Sequence, residues 1–224
     1  MATDAPSTLD NTSLASHADL IRQLQATGHD FHRRGRSLAT SSNYSSVVSR
    51  DPLRLLITAS GKDKGRLEET DFVLVDVDGR AVGTTPHRSS AETLLHVVIA
   101  RRRPEVGAVL HTHSVWGTFL SARARPGGTV VLEGFEMLKG LEHVQSHDHR
   151  EHVPVFDNSQ DIPYLAGQVD RWLASDDADR AHGFLIRRHG LYTWGRTIAE
   201  ARRHVEAFEF LFECHGRLQM VPPA

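Results

Sequence analysis

The most constraining feature of the sequence is an apolar run that ends in two histidines, Ala108-Val109-Leu110-His111-Thr112-His113. If this run is a β-strand, its period of two places His111 and His113 on the same face. Two imidazoles held side by side on a rigid strand could bind one cation. The alternative is a pair of structural histidines that are satisfied by hydrogen bonds. The metal hypothesis also requires a third ligand and an acid–base group from elsewhere in the chain.

Other histidines compete for the place of the third ligand. His189 follows a strand-like apolar run at residues 183–188 and precedes Gly190, which makes it the best candidate. A second histidine-rich stretch occupies residues 143–152, but charged residues flank it and it lacks apolar alternation. We therefore predict that the histidines of this second stretch are ordinary surface residues.

Two carboxylates are candidates for the acid–base group. Glu136 stands between Phe135 and Met137, and an apolar setting would favour the neutral form that a general acid needs near neutral pH. Glu92 follows Ser89 at the spacing of a capping box, so we favour helix initiation over a metal-facing role for it. In place of Glu136, the nearby Glu133 is the competing carboxylate, and composition alone favours a solvated or paired residue at both positions.

Several small polar segments suit an anion. Residues 58–65 follow a predicted strand and contain Ser60, Gly61 and two lysines, whose backbone and side chains could hold a phosphate. Ser89 and Ser90 precede a predicted helix, and a helix N-terminus is a favourable anion site. An ordinary turn and an ordinary helix cap are the alternatives for these segments.

Composition limits the class of protein. The 224 residues include 26 basic and 28 acidic side chains, which argues against a dedicated nucleic-acid or membrane-surface protein. Cys214 is the only cysteine and fits a reducing compartment, and the polar N-terminus lacks a signal-peptide pattern. We expect a cytoplasmic protein with a disordered segment at residues 1–13 and a single domain at residues 14–224.

Taken together, the motifs resemble the class II aldolase/adducin family, most closely its methylthioribulose-1-phosphate dehydratase branch. The resemblance covers roughly residues 14–220, and the order and spacing of the pieces make it specific. The matching pieces are Thr40-Ser41-Ser42-Asn43-Tyr44-Ser45, Thr58-Ala59-Ser60-Gly61-Lys62-Asp63-Lys64, Ser90-Ala91-Glu92-Thr93-Leu94-Leu95-His96, His111-Thr112-His113-Ser114, Phe135-Glu136-Met137-Leu138-Lys139, Arg188-His189-Gly190 and residues 206–212.

The resemblance implies an α/β fold: a three-layer α/β/α domain with a mixed, mostly antiparallel central sheet. It implies one divalent metal per subunit, usually zinc, on His111, His113 and His189, although histidine triads also suit iron, nickel, cobalt or manganese. Glu136 matches the acid–base carboxylate of the dehydratase branch, and Glu92 matches the one that sugar-phosphate aldolases use. The positions that match the phosphate side are Asn43, Ser60, Gly61, Ser89 and Ser90.

The activity that the resemblance implies is loss of water from 5-methylthioribulose 1-phosphate in methionine salvage. An aldolase or epimerase on a fuculose- or ribulose-phosphate type of substrate is the alternative, and a non-catalytic adducin-like scaffold is the third reading. The implied partners are a sugar phosphate and further copies of the chain, commonly as a tetramer with active sites near subunit boundaries.

Two positions depart from the family pattern. Ser42 stands where the phosphate loop usually has glycine, and Ser89 stands where the turn before Glu92 usually has proline. We expect these changes to alter the backbone approach to phosphate and to loosen the turn, without removing a metal ligand.

Overall fold

Short apolar runs alternate with longer amphipathic segments along the chain, and they form eight strands and five α-helices within residues 13–221. These residues are the ones described in the structure, a computed structural model. The strands are β1 (Asn43–Arg50), β2 (Leu53–Thr58), β3 (Phe72–Val75), β4 (Ala108–Thr112), β5 (Thr129–Glu133), β6 (Arg150–Phe156), β7 (Gly183–Ile186) and β8 (Gly190–Gly195). The α-helices are α1 (Ala18–Arg33), α2 (Thr93–Arg102), α3 (Val115–Arg123), α4 (Ile162–Leu173) and α5 (Ile198–Leu218).

The strands form one sheet in the order β3-β2-β1-β4-β8-β7-β6-β5. All neighbours pair antiparallel except β6 and β7, which are parallel. Strand β4 therefore lies near the middle of the sheet, with His111 opposite Asn43 of β1 on one side and opposite Tyr192 of β8 on the other. This register brings residues that are distant in sequence around the histidine strand.

Helices cover both faces of the sheet. On one face, α2 and α4 pack together over a core that includes Val109 of β4 and Phe184 of β7. On the other face, α1 and α5 pack over Leu110 of β4, and α3 joins α5 over the β5 end. Because alternate residues of a strand point to opposite faces, His111 shares the α2/α4 face with Val109. The two layers of helices bury their apolar stripes against the sheet.

The predicted three-layer α/β/α fold with a mixed, mostly antiparallel sheet is confirmed. Within residues 13–221, no helix combines the length and the apolar character that crossing a membrane requires. The disorder expected for residues 1–13 falls almost wholly outside the described part of the chain, as do residues 222–224. The division into a single domain stays a prediction.

Candidate metal centre and substrate cavity

The three histidines singled out in the sequence meet at one point. Strand β4 carries His111, His113 follows its last residue, and His189 lies in the tight turn between β7 and β8. The Nε2 atom of His113 lies 2.8 Å from Nε2 of His111 and 3.1 Å from Nε2 of His189. The backbone N–H of His113 donates to the carbonyl of Arg36 at 2.9 Å, which fixes the chain just beyond the strand.

Gly190 allows the turn to approach β4 this closely. A Cβ atom at Gly190 would lie 2.0 Å from the carbonyl oxygen of Thr112 and 3.0 Å from Cε1 of His111. Any side chain at this position would therefore push the β7–β8 turn away from the histidine strand. The glycine beside His189 is a packing requirement of the site.

Glu92 joins the three imidazoles. Its Oε1 lies 3.0 Å from Nε2 of His189, and its Oε2 lies 3.5 Å from Nε2 of His111. The expectation that Glu92 caps its helix is wrong, because its side chain makes no capping hydrogen bond to α2 and instead turns toward the histidines. Burial acts to raise the pKa of Glu92, but His111, His189 and Asn43 outweigh it and hold the pKa well below its usual range. The carboxylate is therefore ionised.

His111 and His113 are held in the neutral form that a metal ligand needs. Nδ1 of His111 donates to the carbonyl of Leu191 at 2.9 Å, which leaves the lone pair of a neutral ring on Nε2, toward the cluster. Burial lowers the pKa of His111 well below its ordinary value, and burial followed by the nearby His189 lowers that of His113 to about 4. The ring of Tyr192 stacks on His111 at 4.0 Å and limits its rotation.

This donor set fits a divalent cation. One ligand atom from each of Glu92, His111, His113 and His189 lies within 4.8 Å of the others. Lone pairs of neutral imidazoles and an ionised carboxylate oxygen repel one another unless a cation lies between them. Histidine nitrogens with one carboxylate oxygen form a common ligand set for catalytic zinc.

A chain of hydrogen bonds through Asn43, His96 and Ser45 orients the carboxylate of Glu92. Nδ2 of Asn43 donates to Oε2 of Glu92 at 2.7 Å, Nε2 of His96 donates to Oδ1 of Asn43, and Oγ of Ser45 bonds Nδ1 of His96 at 2.8 Å. Burial lowers the pKa of His96 to about 3, so this ring stays neutral. Asn43, expected on the phosphate side, thus directs the carboxylate. His96 belongs to the matched Ser90–His96 motif, but its role depends on packing between β1 and α2 that the sequence does not reveal.

A cavity of about 310 Å³ opens beside the cluster. Three of the phosphate-side candidates, Ser60, Gly61 and Ser90, line it together with His113 and His189. The remaining lining residues include Thr40, Ser41, Ser42, Asn43, Lys64, Glu92, Asn158, Ser159 and Gln160. Residues 158–160 were expected only to precede a helix, so sequence reasoning missed their place at the cavity.

Lys64 supplies a cation to this cavity. The residue is 1 % exposed, and Nζ donates to the carbonyls of Lys62 at 2.7 Å and Thr40 at 3.3 Å. Burial lowers the pKa of Lys64 to about 8, against the opposing charges of Asp63 and Asp71. Within residues 13–221 no carboxylate is in hydrogen-bonding contact with this buried ammonium, which makes it a favourable place for an anionic ligand.

The two departures from the family pattern have different consequences. Ser42 has a φ of +71°, a left-handed conformation that explains the usual glycine there, and its Oγ donates to the carbonyl of Arg36 at 3.4 Å. The phosphate-side prediction for Ser89 is wrong, because its Oγ donates to the carbonyl of Gly79 at 3.4 Å and it is not among the residues that line the cavity. Its backbone instead forms an isolated β-bridge with Ala59.

Glu136 lies in a different setting from the one expected. Its side chain is 71 % exposed and pairs with Nζ of Lys139 at 2.8 Å. The hydrogen bond from Lys139 lowers the pKa of Glu136. Among the described residues, Glu136 therefore lacks the apolar surroundings that were expected to favour its neutral form. Glu136 also does not line the cavity beside the histidines. The neighbouring Phe135 and Met137 do not shield it, because the short 3₁₀ helix Glu136–Gly140 turns its carboxylate outward.

Comparison with known proteins shows which family the chain resembles. Residues 22–215 match the model of the class II aldolase and adducin N-terminal domain. A methylthioribulose-1-phosphate dehydratase of Marinobacter nauticus is 50 % identical over 198 residues, which cover 88 % of this chain and 93 % of that protein. A dehydratase of the same name from Stenotrophomonas maltophilia is 52 % identical over 185 residues, with 83 % and 84 % of the two chains covered.

Solved structures share the fold. The YgbL protein of Escherichia coli superposes with a TM-score of 0.76 at 22 % identity, covering 93 % of this chain and 94 % of that one. An L-fuculose-1-phosphate aldolase of Thermus thermophilus gives a TM-score of 0.69 at 24 % identity, covering 92 % and 100 % of the two chains. The chain therefore belongs to the class II aldolase and adducin family, because the family model matches residues 22–215 and a relative 50 % identical to it covers 88 % of its length.

Proposed function

We propose that this chain is a metal-dependent hydro-lyase that converts 5-methylthioribulose 1-phosphate into 5-methylthio-2,3-dioxopentyl phosphate and water. The observation that carries the proposal is the 50 % identity to a protein of that name over 88 % of the chain. The geometry supports it, because a histidine and glutamate cluster lies beside a cavity that also holds a buried lysine. The reaction removes a proton from C3 and hydroxide from C4, and the resulting enol tautomerises to the diketone.

The proposed metal is zinc, held by His111, His113 and His189. The neutral rings of His111 and His113 and the ionised Glu92 beside them support a divalent cation, and three protein nitrogens leave coordination room for substrate oxygens. When bound, such a cation supplies Lewis acidity that makes the proton next to a ketone easier to remove. The chain itself sets the orientation of the ligands through the Leu191 carbonyl and Asn43.

The proposed phosphate site is the end of the cavity that Ser60, Gly61 and Lys64 line. Gly61 has a φ of +73° and open space where a side chain would be, so an anion could reach its backbone. Lys64 provides a positive charge, and Ser60 a hydroxyl donor. Binding energy from this end would position the reacting carbons against the cluster. Nδ2 of Asn43 donates to Oγ of Ser90, so Ser90 forms part of the cavity wall and supplies no charge.

The reaction needs two proton transfers, and two carboxylates are available for them. We assign the removal of the C3 proton to Glu92, because it is ionised and touches the histidines. We assign proton delivery to the departing C4 hydroxyl to Glu136, which matches the acid–base carboxylate of the dehydratase branch. Delivery needs the protonated acid, so we propose that in the assembled site Glu136 gives up its bond with Lys139 and takes up a proton before the hydroxyl leaves. Because Glu136 does not line the cavity of its own chain, we propose that a neighbouring copy in a tetramer supplies it.

Subunit mixing tests the origin of Glu136. Two variants, Glu136→Gln and His113→Ala, should each be inactive alone. If Glu136 acts across a subunit boundary, reassembled mixtures of the two variants should regain activity at the sites that combine an intact His113 with a partner's intact Glu136. Mixed oligomers that stay inactive would show that Glu136 does not act in a neighbouring copy.

A substrate panel tests the function itself. Purified protein would receive 5-methylthioribulose 1-phosphate, L-fuculose 1-phosphate and ribulose 5-phosphate, with products followed by mass spectrometry. We expect loss of one water from the methylthio substrate and no cleavage of a carbon–carbon bond. Turnover of the other two substrates alone would refute the dehydratase proposal and favour an aldolase or epimerase, which the position of Glu92 keeps as the second candidate. Lack of bound metal and of any turnover would favour the scaffold.

We place this reaction in methionine salvage in the cytoplasm, because the proposed substrate carries the methylthio group that such a route recovers. The single cysteine and the balanced charge agree with that setting. The exposed apolar side chains of Val115 and Phe210, 71 % and 47 % exposed, lie near each other at one cavity and support a contact between copies of the chain.

A further inference from the structure

A second group of metal-ligating side chains lies at the other end of β7. His182 immediately precedes this strand, whereas His189 of the candidate metal centre lies in the turn that follows it. Glu151 belongs to the neighbouring strand β6, and His149 precedes that strand by one residue. The parallel pairing of β6 with β7 brings these three residues together. Two of them belong to the histidine-rich stretch that was expected to be ordinary surface.

One carboxylate oxygen lies between two imidazole nitrogens. Oε2 of Glu151 is 2.9 Å from Nε2 of His149 and 2.9 Å from Nδ1 of His182. The backbone N–H of His182 donates to the other oxygen of Glu151 at 3.1 Å. One nitrogen or oxygen atom of each residue lies within 4.8 Å of the others, as in the candidate metal centre. The three donors thus come from β6 and from the residues just before β6 and β7. The backbone N–H of His182 holds the carboxylate of Glu151 in place.

A carbonyl sets the orientation of His182. Nε2 of this ring donates to the carbonyl oxygen of Glu142 at 2.7 Å. A neutral His182 therefore carries its lone pair on Nδ1, directly toward the carboxylate. Two lone pairs at this separation require a cation between them, either a proton or a metal ion. Histidine ligands of metals usually donate their second ring nitrogen to a carbonyl or carboxylate in this way, as His111 does with Leu191 in the candidate metal centre.

Burial and access both suit a cation. Glu151 is 1 % exposed at the base of the group, and the side chains of His182 and His149 are 12 % and 26 % exposed. A cavity of about 570 Å³, lined by both histidines, gives an ion an entry path and space for water.

We propose that His149, Glu151 and His182 form a second divalent-cation site, of the class that zinc, cobalt(II) or nickel(II) occupies. Two imidazole nitrogens and one carboxylate oxygen, with an open fourth position, form a known zinc ligand set. The bound ion would join β6 to β7 and hold the segment that carries Glu142 against the sheet. The site lies at the opposite end of β7 from the proposed reaction, so an ion bound here takes no direct part in that reaction.

Zinc alone is the probe for the direct test. Crystals of the full chain, stripped of metal and then soaked in zinc, would be measured at the zinc absorption edge. We expect an anomalous peak about 2.0–2.2 Å from Nε2 of His149, Oε2 of Glu151 and Nδ1 of His182. A peak at His111, His113 and His189 without one at this second group would overturn the proposal and leave a proton as the shared cation.

Zinc stoichiometry in solution, measured at about pH 8 against a competing chelator, provides the matched controls. We expect two tightly bound zinc ions per wild-type chain, one in His149→Ala and one in His113→Ala. His152→Ala removes an exposed histidine from the same strand and should keep both ions. Retention of both ions in His149→Ala would overturn the proposal. The ion lost in His113→Ala is the one at the candidate metal centre, so that variant checks that the two sites are counted separately. If His149→Ala does not fold, the crystal measurement decides.

Discussion

Oε1 of Glu92 lies 3.0 Å from Nε2 of His189, so the residue just before α2 touches the turn between β7 and β8. This contact, with the one between Glu92 and His111, places an ionised carboxylate directly beside the imidazoles. The proposed chemistry depends on that relationship, since the same carboxylate is close enough to the histidines to meet a substrate bound there.

Replacement of Glu92 by glutamine keeps the shape of the side chain but removes its charge. We expect Glu92→Gln to lower kcat by at least about 100-fold, because positioned acid–base groups typically contribute factors of 10² to 10⁴. Steady-state kinetics on 5-methylthioribulose 1-phosphate would measure this change. Glu68→Gln, an exposed glutamate outside the cavity, is the control. Unchanged kcat in Glu92→Gln would contradict the assignment of proton removal to this residue.

The contact of Glu92 with the histidines was not predictable from its neighbours in the sequence. Ser89 and Glu92 have the spacing of a capping box, and a local pattern does not show that Asn43, on β1, pulls the carboxylate away from the helix. By contrast, alternation alone predicted that His111 and His113 lie together, and the place of His189 after an apolar run and before a glycine made it the candidate for the third ligand. Local periodicity therefore identified the histidines, whereas the role of Glu92 depends on the strand order β1-β4-β8.

The setting of Glu136 shows a second limit of local reasoning. Apolar neighbours in sequence bury a carboxylate only if they pack around it, and a 3₁₀ helix turns Glu136 to solvent instead. Residues 158–160 were missed for a related reason, because small polar residues before a helix are typical of caps as well as of binding sites. In both cases the deciding contacts come from tertiary packing.

Lys64 should govern the affinity for the phosphate end of the substrate. Lys64→Met keeps most of the side-chain volume and removes the charge, so we expect KM to rise at least about tenfold with a smaller change in kcat, since a charged hydrogen bond contributes about 1.5–3 kcal/mol. Arg66→Met, which removes an exposed positive charge outside the cavity, is the control.

The pH dependence of phosphate binding gives a second measurement on Lys64. Because the pKa of Lys64 is lowered to about 8, the ammonium loses its proton as the pH rises through that value, and affinity for an anion should fall. Calorimetric titration with inorganic phosphate between about pH 7 and 10 should show this decrease in the wild type. A decrease of equal size in Lys64→Met would contradict the role of this lysine.

Gly190 should tolerate no side chain. Gly190→Ala places a Cβ against the carbonyl of Thr112 and the ring of His111, so we expect loss of the close approach of β8 to β4. Such overpacking typically costs about 1–3 kcal/mol. Chemical denaturation should show this loss of stability, and zinc titration should show weaker binding at the candidate metal centre. Gly167→Ala, where a Cβ would meet only Nη1 of Arg171 at 3.8 Å, is the control without a clash. Equal zinc affinity in Gly190→Ala and the wild type would contradict the packing role.

Asp30 should stabilise the packing of α1 on α5 in a pH-dependent way. Its carboxylate accepts from Arg33, Arg34 and Arg202, and these bonds lower its pKa although burial acts in the opposite direction. A carboxyl whose pKa is lowered on folding stabilises the protein above its unfolded pKa of about 3.9 and loses that effect as the pH falls through the folded value.

The matching variant is Asp30→Asn. We expect it to lower the free energy of unfolding by about 1.5–3 kcal/mol at pH 7, and the difference from the wild type should shrink as the pH falls below about 4. Urea denaturation at several pH values would measure both quantities. A difference that stays constant down to about pH 3 would show that the ionised carboxylate is not the source of the stabilisation.

The most direct test of the central claim measures dehydration of 5-methylthioribulose 1-phosphate by chelator-stripped protein before and after saturation with zinc. The wild type should be inactive when stripped and regain activity with zinc, and His149→Ala should behave in the same way. His113→Ala should stay at least about 100-fold below the wild type, the scale on which single groups at such sites act. Full activity in the stripped wild type, or equal recovery in His113→Ala, would contradict the claim that these histidines hold the metal on which the reaction depends.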